Sequence, residues 1–181
     1  YILREMTAPE GGFCSAQDAD SEGEEGRYYL FTPQEIVAIL GRERGEGFKC
    51  RFDITDAGNF QGKSIPNLLG SDPSDDAFAD VLPQLDAYRK KRSSLGRDDK
   101  ILTAWNGLMI AAMCELYLVS RKDIYLSAAE HADGFIRSAL CDRDTLFVSF
   151  LGGKRGVSGF LDDYAAYIFA QLALCRATGE S

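Results

Sequence analysis

Apolar positions along this chain follow two patterns, and the two alternate. "DPSDDAFADVLPQLDAYRKKR" (72–92) reads as an amphipathic helix with acids first and bases last, its stripe formed by Phe78, Val81, Leu82 and Leu85. Pro83 predicts a bend or a split within it. "LTAWNGLMIAAMCELYLVSR" (102–121) differs, because between Ala104 and Val119 its only charge is Glu115. A helix apolar on every side predicts burial on every side. "DIYLSAAEHADGFIRSAL" (123–140) is amphipathic again, with Tyr125, Ala129, Ala132, Ile136 and Leu140 opposite Ser127, Glu130 and Arg137. "LDDYAAYIFAQLALCRATG" (161–179) returns to the apolar kind and stops at Gly179.

Shorter elements surround these. "TPQEIVAILG" (32–41) predicts a helix capped by Thr32, with Pro33 in its first turn, Glu35 closing a capping box and Gly41 ending it. "GRYYLF" (26–31) reads as a strand with "GGFCSA" (11–16) as its hairpin partner, and "TLFVSF" (145–150) as a short strand. The turn-rich stretch from Gly45 to Gly70 reads as irregular.

Amphipathic and buried helices in alternation predict two layers. Short connections make neighbours antiparallel, so the two buried helices run parallel and start at the same end. The expected fold is mainly all-α: a partial α/α toroid of helical hairpins, with a small β-hairpin near the N-terminus. An ordinary helical bundle or solenoid fits the same alternation.

Composition narrows the partners. With 181 residues, 45% hydrophobic and 27% charged, the chain has the size of one globular domain. No apolar run spans a bilayer and no signal-peptide pattern opens it, so no membrane role is expected. It opens on "YILREM" and closes on "RATGES", both of which read as interior to a longer protein. A net charge of −8 repels phosphate backbones and argues against nucleic acid. The basic "RKKR" (89–92) suits the carbonyl end of a helix. Five cysteines, odd in number and without a CxxC, read as reduced thiols of a cytoplasmic protein rather than a zinc or redox centre.

The candidate chemistry lies in acids that precede helices. Asp98 and Asp99 stand before the first buried helix, Asp162 and Asp163 open the second, and Asp18 and Asp20 sit in "GGFCSAQDADSEGEEGRYYLFT" (11–32). Carboxylates at helix starts are favoured by about 0.3–1 kcal/mol without any function. Their recurrence at one predicted rim raises a second reading, in which Asp18, Asp20, Asp162 and Asp163 supply catalytic acid or base. There Trp105 stacks on a sugar ring, Asn106 and Asp99 meet hydroxyls, and Tyr164 extends the surface. Two flanking carboxylates are what glycoside hydrolysis requires. An EF-hand from Asp18 fails, because its twelfth position is Tyr29. His131, the single histidine, lies on an amphipathic helix and reads as a surface residue, which disfavours histidine-based epimerisation and a Ser-His-Asp triad. No metal and no cofactor are expected.

Three motifs, "GGFCSAQDADSEGEEGRYYLFT", "DDKILTAWNGLMIAA" and "GFLDDYA", together resemble the YyaL-like family of thioredoxin-domain-containing proteins, which includes the spermatogenesis-associated homologue of animals. The resemblance implies a large α/α toroid similar to six-hairpin glycosidases and N-acylglucosamine 2-epimerases, of which this chain is the first part. The thioredoxin-like segment of the family is absent. Cys14 stands where the family pattern has an aromatic residue. The family implies a carbohydrate-type cleft and no proven reaction. The competing expectations are a protein- or peptide-binding module serving the thioredoxin-like domain, and a scaffold whose acids only cap helices. Removal of neighbouring hairpins predicts self-association of the piece.

Overall fold

The computed structural model describes residues 1–179. The chain opens with α1 (Ile2–Glu5) and β1 (Ala16–Gln17), then enters β2 (Asp20–Ser21), β3 (Glu24–Glu25), α2 (Pro33–Leu40), α3 (Arg42–Arg51) and α4 (Leu82–Arg89). It continues as β4 (Arg97–Asp98), β5 (Ile101–Leu102), α5 (Thr103–Ser120) and α6 (Asp123–Phe135), which ends in a π-turn at Ile136–Leu140. The short strands β6 (Cys141–Asp142), β7 (Thr145–Leu146), β8 (Ser149–Leu151) and β9 (Lys154–Arg155) lead into α7 (Leu161–Thr178). The fold is mainly α, in two compact units. One comprises Tyr1–Gln17 with the chain from Arg97 onward; the other is Asp18–Gly96.

In the first unit α5 and α7 lie side by side and run in the same direction. Three contacts follow one another in the same order along both. The Ala104 amide meets Asp163, a Cβ built on Gly107 would lie 2.6 Å from the Ala166 carbonyl oxygen, and Glu115 pairs with Arg176 at 2.9 Å. Only glycine permits that central approach. α6 folds back after Arg121, which adopts the left-handed conformation at φ 56°. Its stripe of Ala129, Ala132, Ile136 and Leu140 is buried in one core with Ile110, Cys114 and Ala170. Asp133 ties α6 to α7: it accepts hydrogen bonds from the Tyr167 hydroxyl at 2.7 Å and Gln171 at 2.5 Å, and pairs with Arg137. Burial, and then the Asp133 carboxylate, push the Tyr167 hydroxyl well above its usual pKa. β5 feeds α5 and pairs antiparallel with β8, Ile101 opposite Phe150.

The second unit has its own core of Phe31, Ile36, Phe48, Ile54 and Leu85. The predicted capping box of α2 forms, with Thr32 and Glu35 exchanging hydrogen bonds. Burial alone would raise the Glu35 pKa. The Thr32 amide, the Arg92 guanidinium and the Tyr88 hydroxyl outweigh it and hold the carboxyl below its usual range.

Several sequence expectations are corrected. "GRYYLF" forms a turn with one bridge, Phe31 to Ser64, and "GGFCSA" instead gives a bridge from Phe13 to Thr7 and β1, which pairs with β4. The hairpin near the N-terminus is β2–β3, inside the acidic loop, turning through Glu22 and Gly23 at φ 53° and 80°. Two left-handed residues are what a tight primed turn requires. The helix predicted over 72–92 shrinks to α4, with Pro83 in its first turn. Asp72 and Asp75 side chains take the amides of Ser74 and Ala77, an alternative to helical bonding. α3 occupies part of the stretch read as irregular. Its Gly45 is a packing residue, since a Cβ there would lie 2.9 Å from the Val37 Cα. Of "RKKR", Arg89 lies in the last turn of α4 and Lys90 caps it, as expected, whereas Arg92 lies beyond the helix and donates to the carbonyls of Arg27, Tyr28 and Leu30.

Burial on every side of α5 and α7 is also corrected. Trp105, Leu108, Leu116 and Val119 stay exposed on one, and Leu161, Ile168, Phe169 and Leu172 on the other. Within the unit each packs against its partner and α6, and the remaining face of each meets solvent. Cys175, on the apolar helix expected to be buried all round, is exposed, whereas Cys114 is buried and its thiol is pushed up to about 11, first by burial and then by Glu115. Among the described residues no helix is long and apolar enough to cross a membrane.

Candidate functional site

The start of the α5/α7 pair gathers six of the eight predicted site residues, counting Asp99 just before β5. Three of the six form its frame. Asp163 is almost wholly buried, and its two oxygens accept the amides of Phe160 at 2.9 Å and Ala104 at 3.2 Å. One carboxylate thus satisfies an orphan N–H of its own helix and one of the neighbouring helix. Asn106, also buried, clamps the N-terminal segment: it accepts from the Phe13 amide at 2.7 Å and donates to the carbonyls of Phe13 and Leu102, each at 2.9 Å. The Tyr164 hydroxyl accepts from the Leu146 amide at 3.0 Å. Thr103, which sequence reasoning did not single out, is fully buried and donates to the Phe147 carbonyl.

Two groups at this end remain free to meet a ligand. The indole of Trp105 is 57% exposed, and Asp162 is exposed one residue before Asp163. An exposed tryptophan presents a large apolar face with one N–H donor. Asp18 and Asp20 belong to the second unit, where both are exposed and Asp20 lies in β2.

Asp99 stands apart from the frame. It lines a cavity of about 340 Å³ in the first unit together with Glu10, Arg97, Ile101 and Phe150. Arg97 donates from Nε to Asp99 Oδ1 at 2.6 Å and from Nη1 to the Glu5 carbonyl at 3.0 Å. The bond to Asp99 firms the guanidinium charge, raising the Arg97 pKa. Cys14 lies on the same carboxylate, its Sγ 3.8 Å from Asp99 Oδ1. Burial raises that thiol's pKa despite Arg97, so it stays a protonated, weak donor. Beside it, the Lys100 amide bonds Asp98 and holds its carboxyl below the usual range.

Sequence reasoning missed Glu10 and Arg97. Arg97 directly precedes the acid pair in "RDDK", which was a usable signal; nothing local to "APEGG" marks Glu10. His131 is exposed, its Nδ1 2.6 Å from the Ser127 carbonyl oxygen. Among the described residues no three His, Cys, Asp or Glu side chains come together as a metal set.

No protein-family model matches the chain. Among curated proteins it is similar to spermatogenesis-associated protein 20 of Homo sapiens, at 28% identity over 100% of this chain and 29% of that protein. It is similar to an uncharacterised protein of Caenorhabditis elegans, at 27% identity over 98% of this chain and 30% of that protein. Spermatogenesis-associated protein 20 of Mus musculus matches at 25% identity over 100% of this chain and 29% of its own length. The chain therefore spans under a third of the length of the curated relatives it matches. Homologues of that name, matched over the full chain, support the animal spermatogenesis-associated family to which its three motifs pointed.

Proposed function

We propose that the first unit binds a small polyhydroxylated ligand of the carbohydrate type in the cavity lined by Glu10, Arg97 and Asp99. The observation that carries the reading is the content of that cavity: two carboxylates, a guanidinium and an aromatic ring, Phe150, around about 340 Å³. Sites for small molecules are concavities of about 300–1,000 Å³ with a few placed polar groups on apolar walls. Carboxylates accept from hydroxyls, the guanidinium donates to ring or hydroxyl oxygens, and the phenyl face covers C–H groups. The Arg97 and Cys14 contacts both fall on Asp99 Oδ1, which leaves Oδ2 for a ligand. If the ligand is cleaved, Glu10 and Asp99 are the acid and base, and Asp163, Asn106 and Tyr164 are positioning residues. Trp105 and Asp162 extend the surface at the helix starts. On this reading α5 and α7 are inner helices of an α/α toroid and α6 is an outer one.

The test is calorimetric titration of the full chain with a panel of mono- and disaccharides. Glu10→Gln and Asp99→Asn are expected to weaken any saccharide that binds by at least about tenfold, the value of one charge-assisted hydrogen bond. Their melting temperatures should stay near that of the parent, because the Asp99–Arg97 pair is exposed. Failure of every saccharide, or unchanged affinity in both variants, rejects the proposal. The apolar faces of α5 and α7 favour a second reading, a protein- or peptide-binding module. Peptide binding that survives both variants and fails on Phe169→Lys would select it.

A further inference from the structure

The second unit holds a separate concavity of about 540 Å³ between α4, α3 and the segment at 65–68. Core residues Phe31, Phe48 and Leu85 form its floor, with Phe52 stacked on Phe48 at 4.2 Å between ring centroids. Its lips are apolar too: Leu82 and Ile65 are both more than 40% exposed. Three lining residues carry a charge or an amide. Asn67 is spoken for, since its oxygen takes the Leu69 amide and its nitrogen the Ile65 carbonyl and Asp53. Asp86 is doubly paired, with Arg89 at 2.6 Å and Lys90 at 2.9 Å. The Lys90 hydrogen bond, against slight desolvation, keeps it ionised below the usual carboxylate range.

That leaves Arg89. One of its five N–H donors goes to Asp86, and its guanidinium lies 5.0 Å from the ring centroids of both Tyr28 and Tyr29. Arg89 and Lys90 against Asp86 give this end of the concavity one surplus positive charge. An aromatic-walled hollow whose one lining cation keeps spare donors, while its one lining carboxylate is already paired, selects a particular chemistry. The geometry points to a binding site for a small flat aromatic or apolar molecule bearing one carboxylate, its body on Phe48, Phe52 and Leu85 and its carboxylate on Arg89. This site lies in the second unit and is independent of the saccharide reading.

The test uses the full chain and three probes of one shape: 2-naphthoate, 2-naphthamide and 2-naphthylmethylamine, titrated by protein-observed NMR. Naphthoate should bind at least about tenfold more tightly than the amine, with the amide between. Arg89→Met keeps the stem and removes the charge, and should abolish that preference. Leu82→Glu, at an exposed lip and therefore harmless to folding, should weaken naphthoate by a similar factor and spare the amine. Naphthoate that fails to bind, binds no better than the amine, or is indifferent to both substitutions overturns the site.

Discussion

Asp162 and Asp163 are adjacent, equally acidic, and do opposite work. Asp163 is buried with an amide on each oxygen, one from its own helix and one from α5, while Asp162 faces water. Asp163→Asn turns one acceptor into a donor and leaves a buried amide unpaired, at a cost of about 1–3 kcal/mol. Asp162→Asn loses only a favourable charge at a helix start, under about 1 kcal/mol. Thermal denaturation of the two variants should separate them clearly; equal shifts would show that Asp163 holds nothing together. The sequence revealed the acid pair and its place at a helix start. It did not reveal which member turns inward, because that depends on the rotation of α7 against α5. The same limit applied to Asn106, read as a hydroxyl partner and found clamping Phe13. It applied to Glu10 as well, which reaches the cavity of Asp99 only through the path of the N-terminal segment.

Glycines decide how closely the elements pack. A Cβ at Gly107 would stand 2.6 and 2.7 Å from the carbonyl oxygen and carbon of Ala166, which are backbone atoms of the neighbouring helix. Gly107→Ala therefore has to push α5 and α7 apart, costing about 1–3 kcal/mol against a propensity gain of about 1 kcal/mol. Gly134, exposed on α6, has nothing within 4 Å of the same built atom. Gly134→Ala should then stabilise by up to about 1 kcal/mol. Opposite signs in a urea titration confirm the close parallel pair, and two stabilising substitutions would refute it. The helices α2, α5, α6 and α7 were legible, α2 from its caps, α6 from its apolar stripe, and α5 and α7 from their long, almost uncharged apolar runs. α3 was not, because Gly45 and Gly47 argue against a helix locally, and the close packing on Val37 that requires Gly45 is a tertiary fact. The over-long helix at 72–92 failed for the converse reason: its aspartates bond their own backbone before a helix forms.

At the scale of the molecule, the chain leaves the first unit after β1 and re-enters it at β4, and these strands pair antiparallel with Gln17 opposite Arg97. The entry and exit are thus one hairpin apart, about 5 Å between Cα atoms. The second unit closes its own ends as well, the Asp18 amide donating to the Gly96 carbonyl at 2.8 Å. Each unit has a core of its own. An insertion whose ends meet costs the host little more than a short loop, since closure entropy grows only with the logarithm of loop length. Replacing residues 18–96 by Asn-Gly, a pair suited to a two-residue hairpin turn, should leave the first unit helical and cooperatively folded. The shortened protein keeps Glu10, Arg97 and Asp99 and loses Phe48, Leu85 and Arg89. Saccharide binding, where the full chain has it, should persist, and naphthoate binding should vanish. A shortened chain that melts without a cooperative transition would show that the first unit depends on the segment it surrounds.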